Sequence, residues 1–368
     1  MDRSLRVLLV TLNYPPPPGG IQTVTKNLEH GLRAEGHACK VLHLPMADTS
    51  RSVGDYIPRP SRLYNWRSLT NRDFPYLNFV YRKTMNAIRE FNPDIVHALH
   101  CNNWTALVAA RNHGIARVLS AHALELQNTP LARTAIGDAD SVHVPSRFTE
   151  NQVCKIHSKA ETNVIPPAIN VDEYRKMSKR SNIDSQSGPI VCIGRFVDRK
   201  NIETVIRSWN YFPPHVREGR ELLVVGDGPN RAEIETLASE DDNIRLLGWV
   251  SEQTKRELLA KASVFVLVPS RDGYDAEGFG IVYIEAQAAG TPVVGSTTGG
   301  VPEAIGNGGL TVEDETDPKA VARAIETMVT NDSIRSEKVF NANQRIEQFD
   351  IPAVTEQHVA SYRSLLTE

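Results

Sequence analysis

Ile190-Val191-Cys192-Ile193-Gly194-Arg195-Phe196-Val197-Asp198-Arg199-Lys200-Asn201 is a short apolar run that stops at a glycine and passes through a basic turn toward a helix. A strand covered on both faces reads this way, as a continuous apolar stretch without alternation. The same rhythm repeats downstream at 222–226, 244–246, 264–268, 292–295 and 309–312, with amphipathic helical stretches between. Upstream it appears at 6–11, 39–44, 95–97, 117–120, 141–144 and 163–165, with helices such as 21–35 and 103–113. Alternation of this kind is the pattern of parallel sheets covered by helices. Pro166-Pro167-Ala168-Ile169-Asn170 breaks the rhythm, and the polar stretch 177–189 reads as a linker.

The expected architecture is therefore α/β, with two Rossmann-like doubly wound domains facing across a cleft. Residues 1–168 form the first, 169–340 the second, and 341–368 are helices crossing back to the first. Ligands of such sheets bind beyond the carboxyl ends of the strands. A chain of 368 residues is long enough for two cores.

Composition narrows the function classes. A formal net charge of −3 with 23% charged residues supplies no global field for nucleic acid. No apolar stretch approaches the ~20 residues of a membrane span, and the N-terminus carries no signal-peptide pattern. Cys39, Cys101, Cys154 and Cys192 are scattered, with no C-x-x-C and no histidine at ligand spacing. They read as free thiols in a reducing cytoplasm, and no metal site is expected.

Glu277 and Glu285 stand eight residues apart in Asp275-Ala276-Glu277-Gly278-Phe279-Gly280-Ile281-Val282-Tyr283-Ile284-Glu285-Ala286-Gln287, a glycine-punctuated turn entering a helix. The glycines let backbone approach a ligand closely, and the new helix points its N–H groups at an anion. An eight-residue offset on a pure helix places side chains about 80° apart, so Glu277 is better placed in the loop. Taken alone, the pair reads better as ordinary solvated helix residues. The basic turn upstream tips the balance: Arg195 and Lys200 are expected at a strand's carboxyl end, where a fork-shaped guanidinium and a point-like ammonium share a diphosphate. Asp198 and Arg199 read as structural partners.

Other stretches carry weaker signals. Asn13-Tyr14-Pro15-Pro16-Pro17-Pro18-Gly19-Gly20 opens a helix after the first strand and makes an anion-binding corner, although it is neither G-x-G-x-x-G nor a P-loop. Gly226-Asp227-Gly228 lacks the third glycine of a dinucleotide fingerprint and reads as a tight turn. Asp138-Ala139-Asp140 has a D-x-D form but reads as a cap. His122 follows a strand end and is a candidate to touch the ligand, more so than His97 or His100. Between Arg51 and Glu90 basic and aromatic residues interleave, which suits a packed excursion, an acceptor-binding wall or contact with anionic lipid.

Taken in order, Gly19-Gly20, His122, Arg195 with Lys200, Glu277 through Glu285 and Thr298-Gly299-Gly300-Val301-Pro302-Glu303 resemble the retaining glycosyltransferases of family 4, group 1. These have the GT-B fold and the E-x7-E signature. The wording around Gly19 and Glu277 is similar to the branch of phosphatidylinositol mannoside mannosyltransferases. The resemblance implies catalytic roles for His122, Arg195, Lys200 and Glu277. It implies donor contacts at Gly19, Gly20, Arg195, Lys200, Val250, Glu277, Gly278, Phe279, Gly280, Ile281 and Glu285. It also implies a nucleotide-sugar donor, GDP-mannose or a UDP-sugar, with neither cofactor nor metal. The acceptor would be a lipid, glycan or small molecule, met in the cytoplasm or peripherally at the inner face of the membrane. His122-Ala123-Leu124-Glu125 departs from the family's His-Gly-x-Glu, which leaves the backbone there open. A nucleotide-sugar epimerase and a silent binding module are the rival expectations; an NAD dehydrogenase is disfavoured because no G-x-G-x-x-G follows either first strand.

Overall fold

A computed structural model describes residues 3–15, 19–44, 73–127, 129–180, 187–271 and 275–367. The chain forms two compact units, Met1–Ala168 with Ile351–Glu368, and Ile169–Asp350. Much of the basic, aromatic segment, from Arg51 to Arg72, lies outside the described residues, as do Pro16, Pro17 and Pro18.

The first unit holds a six-stranded parallel sheet built from β1 (Arg6–Thr11), β2 (Ala38–His43), β3 (Ile95–Ala98), β4 (Ala116–Ser120), β5 (Ser141–Val144) and β6 (Thr162–Val164). Its strand order is β2-β1-β3-β4-β5-β6, so the chain reverses its direction of growth between β1 and β3. Val7, Leu8, Leu9 and Val10 of β1 are fully buried, as a strand flanked by two others and covered by helices must be.

The second unit repeats the plan with β7 (Ile190–Ile193), β8 (Leu222–Val225), β9 (Ile244–Gly248), β10 (Val264–Val266), β11 (Val293–Ser296) and β12 (Gly309–Val312). Its order is β12-β11-β10-β7-β8-β9. The sheet grows outward in both directions from neighbouring central strands, as doubly wound sheets do, and its switch point falls between β7 and β10. Ligands of doubly wound sheets bind at this point, beyond the carboxyl ends of the strands. The expected strands are present in both sheets, each within a residue or two at its ends.

The return to the first unit starts later than the expected residue 341. Helix Asp332–Arg345 stays with the second unit, where Arg345 donates to the carbonyls of Ala304 and Glu303 at 2.6 and 2.8 Å. Only the C-terminal helix Ile351–Thr367 belongs to the first unit. At the crossover Ile169 bridges Asp350, and its N–H donates to the Phe349 carbonyl at 2.8 Å, so the two passes of the chain leave the second unit side by side.

Candidate active site

The basic turn after β7 is a single 3-10 turn, Asp198–Lys200. At three residues per turn, successive side chains lie about 120° apart, so neighbours diverge and can grasp one object from two sides. Asn201 fixes this turn from behind. It adopts a left-handed φ of 51°, and its side-chain amide donates to the Val268 carbonyl at 3.0 Å and the Glu315 carbonyl at 2.7 Å. The Ser270 N–H donates to the Arg199 carbonyl at 2.9 Å. Both sides of the switch point are thereby tied together.

Glu277 arrives from the loop after β10. Its Oε2 accepts from Arg199 Nη1 at 2.7 Å and from Lys200 Nζ. The Arg199 Nε also lies 3.4 Å from Asp275. Burial alone would raise the Glu277 carboxyl, but the charges of Lys200 and then Arg199, with their hydrogen bonds, overrule it and hold the group down at about 2. Lys200 is drawn below its ordinary value by burial, against the attraction of Glu277. Burial also lowers Arg195, which stands close enough to Arg199 to feel its charge as a further lowering. No carboxylate partner for Arg195 occurs among the described residues. Three cations against the two carboxylates Glu277 and Asp275 leave a net positive site at the sheet's switch point.

Arg199, read as a structural partner, pairs with Glu277 alongside Lys200. Asp198 does turn away, accepting from Asn230 at 2.6 Å. Beneath the turn, a Cβ on Gly226 would lie 1.8 Å from the Gly194 carbonyl oxygen, and one on Gly228 would lie 2.3 Å from that of Phe196. The glycines of 226–228 thus let the chain leaving β8 pass directly under the Arg195 loop, which is a packing role.

Gly278 and Phe279 lead to Gly280, the N-cap of helix Ile281–Ala288. Phe279 is buried and Ile281 packs against the core of the unit. Glu285 lies inside the helix, nearly buried, and serves a second ion cluster. Its Oε1 accepts from Lys255 Nζ at 2.7 Å, and its charge, after burial, raises the nearby Tyr174 phenol. The two glutamates are therefore held by different cations. Lys255 and Tyr174 escape sequence reasoning, since nothing in the spacing of residues 174, 255 and 285 announces the contact. Val250, just past β9, is half-buried against the same core.

The motif Thr298-Gly299-Gly300 supports Glu277 from its backbone side. The Gly300 N–H donates to the Glu277 carbonyl at 2.8 Å. Gly299 has φ +66°, and a Cβ there would meet that same carbonyl oxygen at 2.3 Å. Gly299→Ala is expected to cost about 1–3 kcal/mol through strain and to displace Glu277. A combined urea melt and turnover assay checks this, with both falling together as the expected result.

A carboxyl depressed when folded stabilises the fold fully above its unfolded value of 4.5, and that contribution disappears as pH falls toward about 2. Across that window Glu277 should account for a loss of about 3 kcal/mol. Urea unfolding at stepped pH measures it, with Glu277→Gln expected to flatten the slope.

In the first unit, Gly19 is the N-cap and Gly20 the first residue of helix Gly20–Ala34. His122 follows β4 and is set in place by Glu125. The carboxylate is buried, accepts from the His122 N–H at 3.1 Å and the Cys101 N–H at 3.3 Å, and lies 2.8 Å from His100 Nε2. Burial would raise Glu125, yet His100 and then His122 hold it below its usual range. His122 Nε2 is 3.3 Å from the Leu99 carbonyl, which leaves Nδ1 as the acceptor nitrogen. Among the described residues only Asn92 and Asn201 have positive φ without being glycine, so Ala123 fits where the family often has glycine. His97 is drawn instead into a buried network with His143 and His358. The D-x-D pair is consumed by protein partners: Asp138 by Arg111 and Trp104, Asp140 by Arg117. All four cysteines are free.

Residues 18–173 match the family described as Glycosyltransferase Family 4, and residues 173–346 match Glycosyl transferases group 1. The GDP-mannose-dependent alpha-(1-6)-phosphatidylinositol monomannoside mannosyltransferase of Mycobacterium tuberculosis is 27% identical, covering 89% of this chain and 90% of that protein. The phosphatidyl-myo-inositol mannosyltransferase of Mycobacterium leprae is 25% identical over 95% of this chain and 94% of its own length. Among solved structures, sucrose-phosphate synthase from Thermosynechococcus elongatus superposes with a TM-score of 0.78 at 22% identity, over 99% of this chain and 100% of that one. The shared architecture is the GT-B fold.

Proposed function

Because the chain belongs to the glycosyltransferases of family 4 and group 1, we propose that it moves a hexose from a nucleoside-diphosphate sugar to an acceptor hydroxyl, with retention at the anomeric carbon and without a metal ion. The observation that carries the reading is the cation set Arg195, Arg199 and Lys200, gathered with Glu277 at the switch point of the second sheet. As the C1–O bond to the diphosphate breaks, negative charge grows on the departing oxygen and the sugar becomes oxocarbenium-like. Fixed cations already aimed at that charge lower the barrier because they need no reorganisation. A leaving phosphate oxygen takes the acceptor's proton while the acceptor oxygen bonds to C1 on the same face. Such a step needs no side-chain base.

Glu277 is assigned to the sugar hydroxyls and Glu285 to the ribose, with Val250 and the backbone of 278–281 around the donor. Gly19, Gly20 and His122 are assigned to the phosphate region and the transferred sugar. GDP-mannose is the favoured donor, since the M. tuberculosis relative is named for it. The favoured acceptor is a polyol carried on a lipid. Such an acceptor would be met at the bilayer surface; no described helix is long and apolar enough to cross a membrane.

Thermal melting against GDP-mannose, UDP-glucose, UDP-N-acetylglucosamine and ADP-glucose tests the proposal, because a ligand that binds only the folded state raises its melting point. One nucleotide sugar should stand out, and its turnover with acceptor should give a product of unchanged anomeric configuration. Inversion at C1, or no response to any donor, would overturn it.

A further inference from the structure

Three histidines distant in sequence meet in the core of the first unit. His97 comes from β3, His143 from β5 and His358 from the C-terminal helix, and one nitrogen of each lies within 4.8 Å of the others. All three residues are buried. His97 Nε2 is 2.8 Å from Ser120 Oγ, and His143 Nε2 is 2.8 Å from Ser361 Oγ. Hydroxyls behind the rings in this way fix tautomer and orientation, as the outer partners of metal-bound imidazoles do. With Nε2 of His97 and His143 so engaged, Nδ1 is the nitrogen that each of these two rings has left. His143 Nδ1 lies 2.9 Å from His358 Nδ1, and His97 Nδ1 lies 2.7 Å from the Tyr362 hydroxyl.

From this constellation we propose a transition-metal site, with His97, His143 and His358 as nitrogen ligands and the Tyr362 oxygen as the fourth. Imidazole-rich sets with one oxygen suit zinc. Tetrahedral bonds of about 2.05 Å require ligand atoms about 3.3 Å apart, so the His143–His358 and His97–Tyr362 contacts open by a few tenths of an ångström while the remaining nitrogen pairs, within 4.8 Å, draw together. Neutral imidazole is the binding form, and burial keeps all three rings in it by lowering their proton affinity. The Tyr362 hydroxyl, 2.7 Å from His97 Nδ1, is placed to complete the set as its oxygen donor. A pocket lined by Ser120, His122, His143 and His358 offers the way in. The role is structural: the ion staples the C-terminal helix to two strands that lie more than 200 residues earlier in the chain.

The test uses the full chain, stripped with chelator, dialysed and titrated with zinc chloride alone. After desalting, elemental analysis should find one zinc per chain, and the melting temperature should rise on the order of 5 °C at saturating zinc. His143→Gln and His358→Gln should each lose both effects while melting, metal-free, near the stripped wild type. Ser361→Ala should retain the ion with affinity reduced about 10- to 100-fold. If His143→Gln does not fold, His358→Gln, whose change lies on the C-terminal helix and not in the sheet, decides alone. No retained zinc in the wild type, or equal zinc binding by a folded histidine variant, overturns the site. Neither result bears on the basic turn after β7, which lies in the other unit.

Discussion

Lys200→Ala should lower kcat by about 10²- to 10³-fold while the protein stays folded, the loss typical of removing one preorganised donor from a developing oxyanion. The ammonium is held at a fixed point by the 3-10 turn, by Asn201 behind it and by Glu277 in front. Its truncation leaves Glu277 with Arg199, so the carboxylate is not stranded. Stability should therefore change far less than turnover. If the charge matters most in the transition state, kcat falls more than KM for the donor rises. Steady-state kinetics beside a thermal melt separates these effects, and near-normal turnover would refute the assignment.

Glu277→Ala should abolish transfer and also change what the donor does to stability. Removal of this carboxylate leaves Arg199 to a long contact with Asp275 and Lys200 with no acid partner among the described residues. Breaking a buried ion pair on one side costs about 3–5 kcal/mol, because the remaining charges are uncompensated. A pyrophosphate is itself the missing anion. Nucleoside diphosphate should consequently raise the melting temperature of the variant by more than that of the wild type, although catalysis is gone. A smaller rise in the variant would show that Glu277 binds the nucleotide instead of balancing the cations.

Much of the fold is legible in the residues themselves. Parallel strands such as Leu222–Val225 and Val293–Ser296 are buried on both faces, so they stand out as unbroken apolar runs bounded by glycine or polar residues. Lys200 is legible through its place after a strand end, and Glu277 through the glycine-punctuated turn that enters a helix. The choice between Arg199 and its neighbours is not, because sequence adjacency does not say which way side chains leave a 3-10 turn. The crossover at Ile351 escapes for a related reason: helices on either side of it are amphipathic, and an apolar stripe does not name the surface it covers. Lys255 with Glu285, and the three histidines with Tyr362, come together only through sheet order and the late return of the chain. No periodicity carries contacts of that range.

The most direct measurement is a calorimetric titration of nucleoside diphosphate into the wild type, Arg195→Ala and Lys200→Ala proteins at one salt concentration. Each substitution is predicted to weaken binding by about 10-fold or more, since hydrogen bonds to charged groups contribute about 1.5–3 kcal/mol apiece. Equal dissociation constants for all three proteins would contradict the central claim, because the pyrophosphate would then be held somewhere other than the basic turn after β7.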